Sequence, residues 1–329
     1  VSRLSFRSII TLAIACAALA VPAAAGAVTV VNGDFETGNL SGWQVSTSSD
    51  AGNWYAYSGT RTPKQASLES ELEGEVSFFP PPQGTFAAVS DESNQSTVIL
   101  YQDVALEPLW THQLTLSLYY KSYDDIVVPE PNTLATDDSV EHNQQLRVDV
   151  MKPTAPIDSL AAEDTLATVF ANKTGDPMVM GPTTFSADLT PLAGQTVRLR
   201  VANAVQDFVF NTGVDAVSIL STPPSNTVAR KKLTLNRKNG TGKLAVKVQG
   251  PGILIAVGRG GKTKKVKRTK LATTGPGIVR LALNPTAAGR KILDRQGRLK
   301  TRIDVFFTPT GGLVSDQNYG ITLRKKLAK

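Results

Sequence analysis

Residues 30–45, VVNGDFETGNLSGWQV, place Phe35 and Trp43 on either side of a polar turn, with Glu36 between them. Gly33, Gly38 and Gly42 break any helical reading, because glycine in a helix interior costs about 1 kcal/mol relative to alanine. Glu36 thus sits in a polar turn bracketed by two aromatics. Working outward, period-two alternation takes over. Leu114, Leu116, Leu118 and Tyr120 alternate with other residues in QLTLSLYY, as do Leu146, Val148 and Val150 in LRVDVMK, and Val197, Leu199 and Val201 in TVRLRVANA. Such alternation marks half-buried strands. STVILYQDVAL and GVDAVSIL add two more, and IDSLAAEDTLATVF allows one short helix. Residues 121–145, polar and broken by proline, read as a long exposed loop. The fold class expected is all-β, because many short strands separated by turns make sandwiches or jelly rolls.

Before residue 30, Arg3 and Arg7 precede an apolar run over residues 9–21 and then PAAAGA. This is the pattern of a secretory signal, read here as residues 1–27. The run is too short for a transmembrane anchor, which needs about 20 residues. The expected location is secreted, extracellular or associated with the cell surface. The single cysteine, Cys16, falls inside this run, so residues after 27 contain no thiol for a disulfide, a nucleophile or a metal.

Charge divides the remainder. Residues 27–222 hold 8 Lys and Arg against 25 Asp and Glu, a net of −17, whereas residues 223–329 hold 25 against 3, a net of +22. The division predicts an acidic unit over residues 28–221, a Pro/Ser/Asn-rich linker over 222–230 and a basic unit over 231–329. The basic half shows about seven strand-like runs with Gly-rich turns, the pattern of a small sandwich, and TAAGRKILDRQG allows one helical turn.

NGDFETGNLSGW, followed by GTFAAVSDESNQSTVILYQDVAL and closed by VDAVSIL, resembles the galactose-binding-like jelly rolls of secreted bacterial carbohydrate-binding modules. The resemblance covers about residues 28–221 and implies an N-terminal jelly-roll β-sandwich with adjacent chain ends. It also implies a structural calcium ion held by Glu36 and Asp215, whose carboxylates with nearby carbonyls make a hard-oxygen cage. The basic half, through GPGILIAVGRGGK, AAGRKILDRQGRLKTRIDVFFTPTGG and ITLRKK, resembles an immunoglobulin-like accessory module near the C-terminus of secreted actinobacterial proteins.

Chemistry is sparse. His112 and His142 are the only histidines, and neither H-E-x-x-H nor G-x-S-x-G occurs. GRGGKT lacks the first glycine of a phosphate loop, since Ala256 occupies its place. A non-catalytic protein is expected; a glycosidase carboxylate pair is the lesser alternative. Sugar rings stack on exposed aromatics, which nominates Trp54, Tyr55, Tyr57, Trp110 and Tyr123 as ligand-binding residues, with Trp54 foremost. Lys262, Lys264, Lys265, Lys267, Arg268 and Lys270 flank Val266 as the candidate polyanion-binding run, or else guard a sheet edge. Expected partners are a carbohydrate or an anionic cell-wall polymer, with no specific nucleic-acid recognition. The competing reading is a structural or adhesive protein without a sugar site.

Overall fold

The computed structural model describes residues 30–63, 77–92, 95–206, 208–259 and 264–327; the signal segment and Lys262 lie outside them. The first ten strands are β1 (Gln44–Thr47), β2 (Gly52–Tyr57), β3 (Ala87–Glu92), β4 (Ser96–Ala105), β5 (Thr111–Ser122), β6 (Gln144–Met151), β7 (Thr165–Ala171), β8 (Val179–Asp188), β9 (Thr196–Val205) and β10 (Phe210–Thr222). They form two antiparallel five-stranded sheets, ordered β1-β4-β9-β6-β7 and β2-β3-β10-β5-β8. The period-two residues meet between them: Leu114, Leu116, Leu118, Leu146, Val148, Val150, Val197, Leu199 and Val201 share one core with Phe35, Trp43 and Trp54.

The opening stretch is mostly turn up to Gly42 and enters β1 at Gln44, and Phe35 and Trp43 are buried in the core of the unit. The Phe35 and Trp43 ring centroids are 5.5 Å apart, and the Trp43 indole N–H donates to the Asn32 carbonyl at 3.1 Å. The Val217 N–H donates to the Gly33 carbonyl at 2.8 Å, tying the entry to β10. A Cβ on Gly33 would lie 2.0 Å from the Val217 carbonyl oxygen, so only glycine permits this approach.

Two expectations are corrected. The segment read as a short helix is a turn region followed by β7. The loop read as exposed over residues 121–145 buries Ile126, Leu134 and Asn143. Leu134 packs with Ile99, Ala202 and Ala204 on the outer face of the first sheet. The loop is therefore a cover, which its polar composition conceals.

The basic half contains β11 (Ala229–Asn236), β12 (Thr241–Val248), β13 (Gly252–Arg259), β14 (Thr269–Thr273), β15 (Gly277–Leu283), helix α1 (Ala287–Gln296), β16 (Arg298–Pro309) and β17 (Ser315–Arg324). Its sheets are ordered β11-β12-β15 and β14-β13-β16-β17. Helix α1 is longer than the single turn expected. The Thr286 side chain caps its first turn, and Gly297 ends it at φ 64°. Val228, assigned to the linker by sequence, joins the core of this second unit, and Ser315 Oγ donates to the Asn226 carbonyl at 2.6 Å. No helix among the described residues is long and apolar enough to cross a membrane.

Candidate functional site

Asp215 occupies a bulge in β10, where the register with β5 shifts between Asp215 and Ser218, and Ala216 adopts φ 52°. A bulge re-aims a side chain out of the regular pleat. Asp215 Oδ2 accepts from the Gln83 N–H at 3.1 Å, and Oδ1 from the Ala216 N–H at 2.6 Å. Glu36 Oε1 accepts from the Thr85 and Phe86 N–H groups at 2.8 and 2.9 Å. Both carboxylates thus grip the loop at residues 83–86. A Cβ on Gly84 would lie 2.2 Å from Glu36 Oε1, so the loop passes directly over the carboxylate. Burial pushes the Asp215 carboxyl up to about 6; its two amide hydrogen bonds act downward, and the charges of Glu36 and Asp34 add to the rise.

A hard divalent cation would have to use the lone pairs that these amides leave free on the two carboxylates, with backbone carbonyls completing the shell. Among the described residues no group of three His, Cys, Asp or Glu side chains has metal-holding geometry. Carbonyl oxygens would therefore supply the larger part of any such cage.

The aromatic candidates are redistributed. Trp54 is 2 % exposed and Trp110 4 %, so neither offers a ring face to a sugar. The pleat of β2 turns Trp54 into the main core. Tyr57 and Tyr55 turn to the other face, under Phe78 and Phe79. Tyr57 is buried, and its hydroxyl meets that of Tyr119 at 2.7 Å. Tyr55 is half-buried. The Trp110 indole N–H donates to the Gly311 carbonyl in the second unit at 2.9 Å, which makes it a junction residue. Only Tyr123, 38 % exposed, keeps an accessible ring. Its N–H donates to the Val209 carbonyl, beside Phe208, which is 46 % exposed. Phe208 was missed because DFVF reads as an ordinary strand start.

A polar cleft of about 500 Å³ opens beside β1 and β4. Ser46, Thr47, Ser48 and Thr97 line one side, Thr133, Thr136 and Asp137 another, and Ile157 with Asp158 the third. Thr97 Oγ1 donates to the Leu134 carbonyl at 2.5 Å, and Ser48 Oγ accepts from the Thr97 N–H at 2.8 Å. The third wall hangs on Arg200, whose Nη1 donates to the Ile157 and Ser159 carbonyls at 2.7 and 2.8 Å. Arg200 Nη2 in turn meets Asp149 at 2.6 Å. No short motif announces this cleft, because four separate segments build it.

In the basic unit, Val266 is buried and forms an isolated bridge with Pro285. Lys264, Lys267, Arg268 and Lys270 are exposed and Lys265 half-buried. Of these only Lys270 lies within a strand, β14, at the edge of its sheet.

No family model and no curated protein matches this chain. Among solved structures, the carbohydrate-binding module TmCBM61 in complex with β-1,4-galactotriose is 13 % identical, covers 59 % of this chain and 99 % of its own, and has a TM-score of 0.35. The K3 adhesin domain of Lys-gingipain from Porphyromonas gingivalis is 14 % identical, with coverages of 59 % and 98 % and a TM-score of 0.34. The adhesin domain of Epf from Streptococcus pyogenes is 9 % identical, covers 92 % of this chain and 98 % of its own, and has a TM-score of 0.31. Likenesses this distant carry no ligand or activity to this chain.

Proposed function

We propose that this chain is a secreted, non-catalytic protein whose acidic unit binds carbohydrate and whose basic unit associates with anionic polymers of the cell envelope. The observation that carries the carbohydrate reading is the hydroxyl-lined cleft between β1, β4 and the covering loops. Its volume is that of a small-molecule site. Serine and threonine hydroxyls both donate and accept, and the Asp137 and Asp158 carboxylates accept, which is the complement a polyol needs. A glycan array probed with the intact chain, with and without calcium, tests this. Binding should appear and should fall on Asp158→Ala and Thr136→Val. An array with no signal, or a signal indifferent to both substitutions, overturns the cleft as a sugar site.

A second reading has its own support. Burial of Trp54, Tyr57 and Trp110 removes most of the stacking surface a glycan binder uses, which favours an adhesive or structural role. A silent array with retained adhesion to cells would select it. For the basic unit, the strand orders β11-β12-β15 and β14-β13-β16-β17 support the immunoglobulin-like reading, and its net charge of +22 over residues 223–329 supports association with polyanions.

Calcium at Glu36 and Asp215 belongs to the same proposal. The ion would neutralise the crowded carboxylates and fasten the loop at residues 83–86 to β10. Calcium should raise the melting temperature by mass action, and Glu36→Gln should abolish that rise. Melting curves that chelator and Glu36→Gln both leave unchanged would remove the site.

A further inference from the structure

Four exposed cations stand together on the outer face of the β16–β17 hairpin. Arg298, Lys300 and Arg302 alternate along β16, so their side chains leave the same face at intervals of about 6.8 Å. Arg324 is paired directly with Arg298 across the hairpin. Opposite Arg302 lies Gly320, over which an added Cβ would meet nothing within 4 Å. Beside Lys300 and Arg302 lies a shallow groove of about 770 Å³ running to Arg230 on β11. Acidic neutralisation is slight. The Arg302–Asp304 contact is 4.0 Å, and among the described residues no salt bridge engages Arg298, Lys300 or Arg324.

Lysines and arginines guard sheet edges against pairing with other chains, and Arg324 lies on the edge strand β17 while Arg298 and Lys300 run past the end of β13; Arg302, paired with Arg259 on one side and Gly320 on the other, is not at an edge. Like charges directly opposite in an antiparallel pair destabilise the sheet, so the Arg298/Arg324 pair opposes folding. The run at residues 264–270 leads into the edge strand β14, where Lys270 guards the edge.

We propose that the β16–β17 face, through Arg298, Lys300, Arg302 and Arg324, is the binding strip for a linear polymer bearing one phosphate or carboxylate group per repeat. The proposal rests on the polyanion reading of the basic unit and locates it. Guanidinium groups offer paired donors that match both anions, and the regular spacing along β16 presents successive charges to an extended chain. The groove over Gly320 gives that chain a floor.

The test uses the intact protein with two probes, long-chain inorganic polyphosphate and poly-glutamate, titrated over a range of salt. One variant carries Arg298→Gln, Lys300→Gln, Arg302→Gln and Arg324→Gln. The other carries Lys264→Gln, Lys265→Gln, Lys267→Gln, Arg268→Gln and Lys270→Gln. The strip variant should bind at least about tenfold more weakly at low salt, with its log–log salt slope flattened by about 3 for four lost contacts. Its melting temperature should hold or rise. The probe whose binding depends on the strip identifies the anion. If the strip variant keeps wild-type affinity and slope, or the second variant loses as much, the strip is not the site, although the basic unit still binds polyanions. If the unmodified protein binds neither probe, both readings fall.

Discussion

Replacing Asp149 with asparagine should unfold the acidic unit more readily than any surface change. Asp149 receives Arg147 Nε and Nη2 at 2.7 and 2.9 Å, Arg200 Nη2 at 2.6 Å and Thr168 Oγ1 at 3.0 Å. The Asp149 and Arg200 side chains are fully buried, and that of Arg147 is 9 % exposed. The asparagine keeps the shape and removes the charge, leaving two guanidiniums confronting each other out of water. Breaking a buried pair this way costs about 3–5 kcal/mol, a large part of the roughly 5–15 kcal/mol that holds a domain together. With a urea slope of about 2 kcal/mol per molar, the midpoint should fall by roughly 1.5–2.5 M. All three tryptophans, Trp43, Trp54 and Trp110, lie in the acidic unit, so their fluorescence follows its unfolding. Replacing all three charged groups together with apolar residues of similar volume should be close to neutral. A midpoint shift for Asp149→Asn below about 0.3 M, well under the cost of breaking such a pair, would refute the argument. Acid should act in the same direction. Burial raises the Asp149 carboxyl, but the hydrogen bonds and charges of Arg147 and Arg200 outweigh it and hold it below the ordinary range. Its contribution is therefore complete above about pH 3.9 and is lost as pH falls through the folded value.

Glu92 should give the opposite pH dependence. It is wholly buried, and burial holds its carboxyl well above the usual range despite hydrogen bonds from Asn203, Ser96 and Ser90. Its contribution is full below about pH 4.3 and declines as pH rises toward the folded value. Glu92→Gln should therefore raise the melting temperature at pH 8 more than at pH 4; an equal shift at both would contradict the assignment. Trp43→Ala should cost about 3–5 kcal/mol in urea unfolding, because the indole packs on Phe35 and bonds Asn32. A variant as stable as the parent would remove Trp43 from the core.

The strands were legible wherever one face meets the core and the other does not, because burial on a pleated sheet imprints period two on the residues. Leu114, Leu116 and Leu118 announce β5 in this way. The signal fails where both faces are covered. All eight residues of β6 are buried, and its Arg147 and Asp149 look like surface charges until the covering loop is placed. It fails again for Trp54 and Trp110, whose surroundings come from distant segments. The expectation that Glu36 and Asp215 lie close together came from the resemblance carried by the segments that open and close the acidic unit, not from either segment's own pattern. The cleft was not, because Thr97, Thr136 and Asp158 converge only after folding. Charge composition located the basic unit but pointed to the lysine-rich run, since an alternating row such as RLKTR carries the same pattern as any amphipathic strand.

The junction decides how the two opposite charges act on each other. A free linker would let a unit of net −17 fold back on one of +22 and compete with any polyanion. Val228 and Asn226 are instead packed into the basic unit, and Trp110 bonds Gly311 in the turn between β16 and β17. The binding strip lies toward the other end of that hairpin. From Pro309 back to Arg302 is seven residues, and back to Arg298 eleven, or about 23–36 Å at 3.3 Å per residue. The Debye length is about 8 Å at 0.15 M salt and about 30 Å at 0.01 M. The acidic unit is therefore screened from the strip at physiological salt, and at low salt the junction contact at Trp110 is what keeps it away. Trp110→Phe keeps an aromatic ring, though a smaller one, removes the indole donor and lets the units swing. It should leave polyphosphate affinity unchanged at 0.15 M and weaken it at 0.01 M, where the freed acidic unit reaches the strip. Affinity equal to the parent's at both salts would show that the junction does not hold the charges apart, and an equal loss relative to the parent at both would show that Trp110 supports the fold rather than the spacing.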